Sequence, residues 1–441
     1  MNQDSRADRT IVEGDRLAEG PRTRAAFWKD VAETAAARFL LLGVSAVSTI
    51  FIARVLGPDG RGAYAVAVTI SAVGIRFGNL GLHSANTYFV ARDRADLPRL
   101  LGNSLVVGLL VAGAGALGVG LMFVAVPPIS PLAGWLLALA LAWVPIGLTY
   151  LLLQNLLIGI GEIRAVNLIE IFGRTLPVGL MLALLLIGWK TPAWFMAAGF
   201  VGLVLAFLWV LVILERRAEW QPKPSLRLFK ANISFSFKAY VAAFFAYVVL
   251  RSDLLVISYL RGLEDVGYYS VAVSITEVLS ALPIAIGTVL FPRLSALESE
   301  DDKRKIAIHV AVITGLLLGV ASLAAGMLAN PLISFLFGAD FLPASSAFVW
   351  LLPGIVAISV NRIFMNYFAS MGMPAVTVWS PAAAAAINVV LNLVLVPRLG
   401  IVGASITSTI AYLLMLLTSI AYMRFGSPRT SSRGSDSPAE D

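Results

Sequence analysis

The sequence contains no cysteine. Disulfides, thiolate metal sites and thiol nucleophiles are therefore excluded. Histidine is almost as scarce: with only His83 and His309 there is no HExxH and no histidine cluster, so no metal is expected. A GxxxxGK[ST] phosphate loop is also missing, which argues against an ATP-driven motor in this chain, and no cofactor is expected. Charge is the remaining scarcity. Only 13% of the 441 residues are charged and 59% are hydrophobic, with a mean hydropathy of +0.85, whereas soluble domains are about 25% charged.

What is present instead is a succession of apolar runs. A hydrocarbon core needs about 20 apolar residues per helix, and the pattern predicts about twelve spans, near 31–53, 62–90, 101–126, 132–158, 165–187, 192–215, 232–260, 267–291, 306–328, 344–370, 375–396 and 402–424. The expected fold is an all-α polytopic membrane protein. Residues 1–30 are too charged for a cleavable signal peptide, so the first helix is expected to act as its own targeting signal.

The net charge of +7 does not by itself call for nucleic acid, because basic residues collect on cytoplasmic loops of membrane proteins. The N-terminal segment, the even-numbered connections and the C-terminal tail carry 22 Lys/Arg, against 5 on the odd-numbered connections. Both termini are thus expected on the cytoplasmic side of the cytoplasmic membrane.

The chain also repeats itself. GPDGRGAYAVAVTISAV (57–73) and GLEDVGYYSVAVSITEV (262–278) match at 8 of 17 positions with an offset of 205. Six helices separate them, so the halves are expected to be parallel repeats with a site between them, as in transporters of that design. The expected organisation is a disordered cytoplasmic tail over 1–24, a first six-helix lobe over 25–217 and a cytoplasmic linker over 218–231. A second six-helix lobe occupies 232–426, then a disordered cytoplasmic tail 427–441.

Six basic residues fall inside spans: Arg38, Arg76, Arg174, Lys238, Arg251 and Arg362. An ionised side chain at mid-membrane costs roughly 2.5 to 3.5 kcal/mol on insertion scales, so each must be paired, hydrated or snorkelling. Arg174 has Glu170 four residues earlier, a spacing for a structural ion pair, and Lys238 lies near a helix end. Thr69, Arg76, Asn79, His83 and Asn86 share one arc of a continuous second helix, and Ser359, Arg362, Asn366 and Ser370 form a similar stripe on the tenth. Thr34, Arg38, Ser45 and Thr49 do the same on the first. Structural ion pairs compete with a substrate cavity as the reading for each arginine, and for His83 a structural hydrogen bond competes with titration. Arg251 and Asp253, two residues apart, point to opposite faces. One arrangement aims Arg251 at a wet cavity and Asp253 at a cation on a neighbouring helix; the reverse is also open. Glu277 stands where the first repeat has Ala72. The resulting candidate cavity set is Arg38, Arg76, Asn79, His83, Arg251, Arg362 and Asn366, net cationic and suited to phosphate. Asp253 and Glu277 are candidates for ion coupling or a cavity ion pair.

INVVLNLVLVPRLGIVGASITSTIAYLLM (387–415) and ARVLGPDGRGAYAVAV (53–68) resemble segments of bacterial polysaccharide exporters and O-antigen-type flippases. Their superfamily also includes lipid II flippases and multidrug and toxin extrusion transporters. The resemblance implies two six-helix lobes forming a V around a central cavity lined by the first, second, seventh and eighth helices. It implies alternating access that carries a polyprenyl-(di)phosphate-linked oligosaccharide across the membrane, for cell-surface polysaccharide biosynthesis. The implied partners are that glycan, membrane lipids and polymerase or glycosyltransferase machinery, with no nucleic acid. The two extra helices typical of lipid II flippases are absent, and the first-half carboxylate common in multidrug members is represented only by Glu33. A cation-coupled multidrug exporter remains the alternative. A membrane glycosyltransferase or polymerase is a further one, disfavoured by short odd-numbered loops; the expectation is a transporter, not an enzyme.

Overall fold

The structure, a computed structural model, describes residues 24–217 and 222–426, with side chains described over 40–216 and 222–425. The expected tails 1–24 and 427–441 and the centre of the linker lie outside this range, apart from Arg24. Every regular element among the described residues is helical: α1 Arg24–Asn79, α2 Leu82–Arg92, α3 Leu97–Leu105, α4 Ala112–Ala125, α5 Gly134–Gly159, α6 Ile163–Leu186, α7 Pro192–Arg217, α8 Leu226–Leu260, α9 Leu263–Leu279, α10 Ala281–Ser295, α11 Glu300–Met327, α12 Ala329–Phe337, α13 Ala344–Ser370 and α14 Val376–Ala421. Local chemistry sets their starts. Ser225 caps α8 by accepting from the Leu228 amide, and Ser299 caps α11 ahead of Glu300, Asp301 and Asp302, acidic groups that suit a helix N-terminus.

Among the described residues, ten helical segments are long and apolar enough to cross a membrane. Together with their exposed Leu, Val, Ile and Phe side chains, they make this a multi-pass membrane protein. Two of the ten, Leu40–Asn79 and Val376–Phe425, have 40 and 50 residues, which at 1.5 Å per residue would extend about 60 and 75 Å, at least twice a hydrocarbon core. Each is broken at a glycine with non-helical backbone, Gly57 (φ 66°) and Gly400 (φ 58°). At Gly400 the chain folds back on itself. The Ser380 and Thr418 hydroxyls, 38 positions apart, hydrogen-bond at 2.5 Å. At Gly57, Phe51 and Val55 on one side share a packing cluster with Tyr64 on the other.

Two other expected spans are discontinuous. Leu80 (φ 46°) and Gly81 (φ 80°) separate α1 from α2, and Ser280 separates α9 from α10. Interrupted helices of this kind free backbone groups at membrane depth and recur where transporters bind their ligands.

One apolar cluster joins the two halves, combining Ala53, Val66 and Ala140 with Leu254, Tyr269, Phe337 and Phe348. Another lies within the first half around Leu100, Leu153, Ile169 and Val210, and two more lie within the second.

Candidate functional site

The repeated segments meet each other at one end of the molecule. A Cβ on Gly62 would stand 1.7 Å from the Leu263 carbonyl oxygen, and one on Gly267 would stand 1.9 Å from that of Pro58. Under the offset of 205 these are the same contact twice, Gly62 matching Gly267 and Pro58 matching Leu263, so a local two-fold relates the loops. Only glycine allows backbones to approach so closely. Arg61, buried beside this contact, donates to the Ser270 and Ser274 hydroxyls at 3.2 and 3.4 Å. Arg54 donates to the last-turn carbonyls of α12, Leu336 at 2.8 Å and Phe335.

Further along the same helices lies a charged cluster. Arg251 on α8 pairs with Glu277 on α9, and the side chains remain 31% and 54% exposed. Arg76, near the end of α1, places its guanidinium 5.2 Å from the ring centroid of Tyr247 on α8, across the boundary between halves. Arg362 on α13 donates to the Ser280 carbonyl at 3.4 Å, at the α9–α10 break. Electrostatic interactions tie Glu277 to Arg61, Arg251, Arg362 and Tyr247. Among described residues, Arg61, Arg76 and Arg362 have no carboxylate at ion-pair distance. Three guanidiniums, those of Arg61, Arg251 and Arg362, thus interact with one carboxylate, and Arg76 adjoins them through Tyr247. Arg76 and Glu277 are exposed on helices of membrane-spanning length, and the cost of charge in hydrocarbon requires that they meet water rather than lipid tails.

Asp253 occupies a separate, dry site. It is 1% exposed and accepts from Tyr269 Oη at 2.7 Å, Asn392 Nδ2 at 2.6 Å and the Ser408 hydroxyl. Asn388 accepts from Ser252 and from Asn392 at 2.8 and 3.1 Å, while Asn392 Oδ1 and Asn388 Nδ2 are buried without a partner. Helices α8, α9 and both arms of α14 supply these groups.

At the opposite end from the glycine contact, the halves are tied together by amide groups. Asn103 on α3 donates to the Ser225 carbonyl at 3.0 Å and accepts from its amide at 2.8 Å, and the Lys223 amide donates to Pro98 O at 3.0 Å. Asn86 donates to Ser104 at 2.9 Å and accepts from Asn232 at 3.2 Å.

Several sequence-based expectations are corrected by this geometry. Asp253 meets no cation at ion-pair distance among described residues; its partners are neutral hydroxyls and an amide, because α14 folds back and brings Asn392 and Ser408 to it. The ion pair expected of these carboxylates forms at Glu277. The second span is interrupted at Leu80–Gly81, and the polar side chains of the expected stripe find separate partners. Asn79, 2% exposed, donates to His83 Nδ1 at 2.7 Å, and Asn86 turns into the buried amide network. Thr69 satisfies the Ala65 carbonyl at 2.8 Å. Glu170 and Arg174 have separate partners, Gln154 at 2.8 Å and Ser45 at 3.2 Å. Asn366 donates to the Arg362 carbonyl at 2.8 Å on its own helix. Arg38 lies on α1, but its side chain is outside the described ones. Sequence reading missed Arg61, Tyr247 and the set around Asp253. The last was signalled by Asn388 and Asn392, four residues apart in an apolar run, and by the tyrosine that recurs in both repeats.

These features define a class: a multi-pass membrane protein, helical throughout its described elements, with internally repeated segments and a charged cluster where its halves meet. Solved structures share the fold. One titled as the lipid II flippase MurJ in an inward closed conformation superposes with a TM-score of 0.70 at 14% identity, covering 90% of this chain and 87% of that one. An inward-facing multidrug resistance MATE family transporter gives 0.69 at 16% identity, covering 87% and 93%. The chain belongs to the polysaccharide biosynthesis protein family, whose model matches residues 27–298. The succinoglycan biosynthesis transport protein ExoT of Rhizobium meliloti is 26% identical over 76% of this chain and 68% of its own length. An uncharacterized membrane protein of Methanocaldococcus jannaschii is 30% identical over 43% of this chain and 38% of its own. The probable low-salt glycan biosynthesis flippase of Haloferax volcanii is 22% identical over 48% and 45%. The chain thus spans less than half of these two archaeal proteins.

Proposed function

We propose that this protein is a flippase that moves a polyprenyl-(di)phosphate-linked oligosaccharide across the cytoplasmic membrane by alternating access. The observation that carries the reading is the cluster of Arg61, Arg251 and Arg362 around Glu277, joined by Arg76 through Tyr247 at the boundary of the halves, in a chain of the polysaccharide biosynthesis family. Guanidiniums stay ionised in any protein environment and offer paired donors that match phosphate oxygens. The net charge of this cluster is +3, which disfavours a cationic drug as cargo. The lipid tail would remain in the membrane while the phosphate-linked head passes between the halves.

In this reading the breaks at Gly57 and Gly400 are loops, giving twelve crossings with both termini cytoplasmic. The Gly62–Gly267 contact then closes the extracytoplasmic side. Asp253 is the proposed coupling group, a buried carboxylate whose direct partners are neutral hydroxyls and an amide.

The test is mass spectrometry of polyprenyl-phosphate-linked oligosaccharides in cells depleted of the protein. Accumulation of a complete lipid-linked unit on the cytoplasmic side is expected, and reintroduced Arg76→Ala protein should fold, insert and fail to relieve it. No accumulation, with altered sensitivity to cationic drugs, would replace this reading with multidrug export.

A further inference from the structure

The Arg251–Glu277 pair has features that a purely structural ion pair does not need. Its carboxylate is half-exposed rather than packed, its counterpart in the first repeat is Ala72, and its electrostatic reach extends to Arg61 and Arg362 as well as to its direct partner. Exposed pairs add little to stability. An uncompensated group of four guanidiniums, by contrast, would repel itself and attract any small anion. The first half supplies Arg61 and Arg76 without an acid, so the single carboxylate of the second half serves the cluster from both sides of the boundary.

Resting on the proposed phosphate-binding reading, we infer that Glu277 is an internal competitor for the anion site, whose carboxylate occupies Arg251 in the empty carrier and is displaced by the ligand's phosphate oxygens. A carboxylate and a phosphate both present paired oxygens to a guanidinium, so one can replace the other without rebuilding the site. The ligand must offset the lost Arg251–Glu277 pair, which lowers its affinity. Re-formation of the pair then favours release, since a carrier that holds its cargo too tightly turns over slowly. Glu277 is thus a positioning and release residue, and the phosphate is held by arginines alone.

The test uses the full chain in lipid nanodiscs, with farnesyl diphosphate as the binding probe and flipping of a fluorescent polyprenyl diphosphate in proteoliposomes as the transport readout. Arg76→Ala and Arg251→Ala are each expected to weaken probe binding at least tenfold; unchanged binding in both would refute the phosphate reading itself. Glu277→Gln is expected to bind the probe about tenfold more tightly than wild type while flipping more slowly. In an Arg251→Ala background the same substitution is expected to change affinity less than twofold, because there is no longer a guanidinium for Glu277 to occupy. Equal or weaker binding by Glu277→Gln, with the arginine variants behaving as expected, overturns the inference and leaves the phosphate reading standing. So does a gain that persists in the Arg251→Ala background, which would mean that Glu277 acts by charge alone. Should Glu277→Gln fail to fold, Glu277→Ser provides the same comparison, and failure of both would make the pair structural and overturn the inference.

Discussion

The two repeats agree in backbone and differ in chemistry. Residues 57–73 and 262–278 keep the same turn glycines, the same tyrosine and the same Val-Ala-Val run, and they use Gly62 and Gly267 to touch each other's carbonyls in equivalent ways. At matching positions, however, the first half has Ala46, Ser48 and Ala72 where the second has Arg251, Asp253 and Glu277. Even the shared tyrosine diverges: Tyr64 packs in an apolar cluster, its ring 6.0 Å from the Arg61 guanidinium, while Tyr269 donates to Asp253. Backbone contacts between the halves constrain both copies equally, whereas a polar site between them needs each group only once. The second half carries Glu277 of the charged cluster and Asp253 of the separate buried network.

The largest effect is expected from breaking what the repeats share. Gly62→Ala puts a methyl group into the Leu263 carbonyl, so the loops cannot close and transport should be lost. With no native cysteine, a single Ser270→Cys, now 4% exposed, reports it: a thiol reagent should label it faster in the Gly62→Ala protein, and unchanged labelling would refute closure at this contact.

Next come the groups unique to the second half. Asp253→Ala strands the donors of Tyr269, Asn392 and Ser408, and each buried unsatisfied group costs about 1 to 3 kcal/mol, so a clear fall in thermal unfolding temperature is expected. Asp253→Asn keeps much of the hydrogen bonding and should lower stability less while removing the dependence of flipping on an imposed ion or proton gradient. Retention of that dependence would exclude Asp253 as the coupling group.

Smaller effects belong to groups that only support the frame. Asn86→Ala should destabilise by about 1 to 3 kcal/mol through the buried amide network, read by denaturant unfolding in detergent, with substrate affinity unchanged. His83→Ala, which removes the hydrogen bond to Asn79, should cost about 0.5 to 1.5 kcal/mol and leave flipping within twofold of wild type. A large transport defect would return His83 to the binding site.

Much of this is legible in the residues. Apolar runs of membrane length, the offset repeat and charges inside spans are local or periodic signals, and they carry the fold class, the equivalence of the loops and the need of Arg251, Asp253 and Glu277 for polar partners. The second-span stripe assumes a continuous helix, whereas Leu80–Gly81 interrupt it while Asn79 and His83 still meet across the break. Glu170 and Arg174 mislead because helical spacing permits an ion pair, whereas Gln154 and Ser45 on neighbouring helices offer better-placed partners.

The sequence by itself determined that this chain lives in a membrane, that its halves are duplicated, and that costly charges must find partners or water, because hydrophobic length, repetition and desolvation depend on residue type and order. Only the tertiary structure decided which partner each charge found. Some of those choices join residues more than a hundred positions apart, such as Asp253 with Asn392 and Ser408, and distance along the chain does not identify such partners once helices fold back and pack.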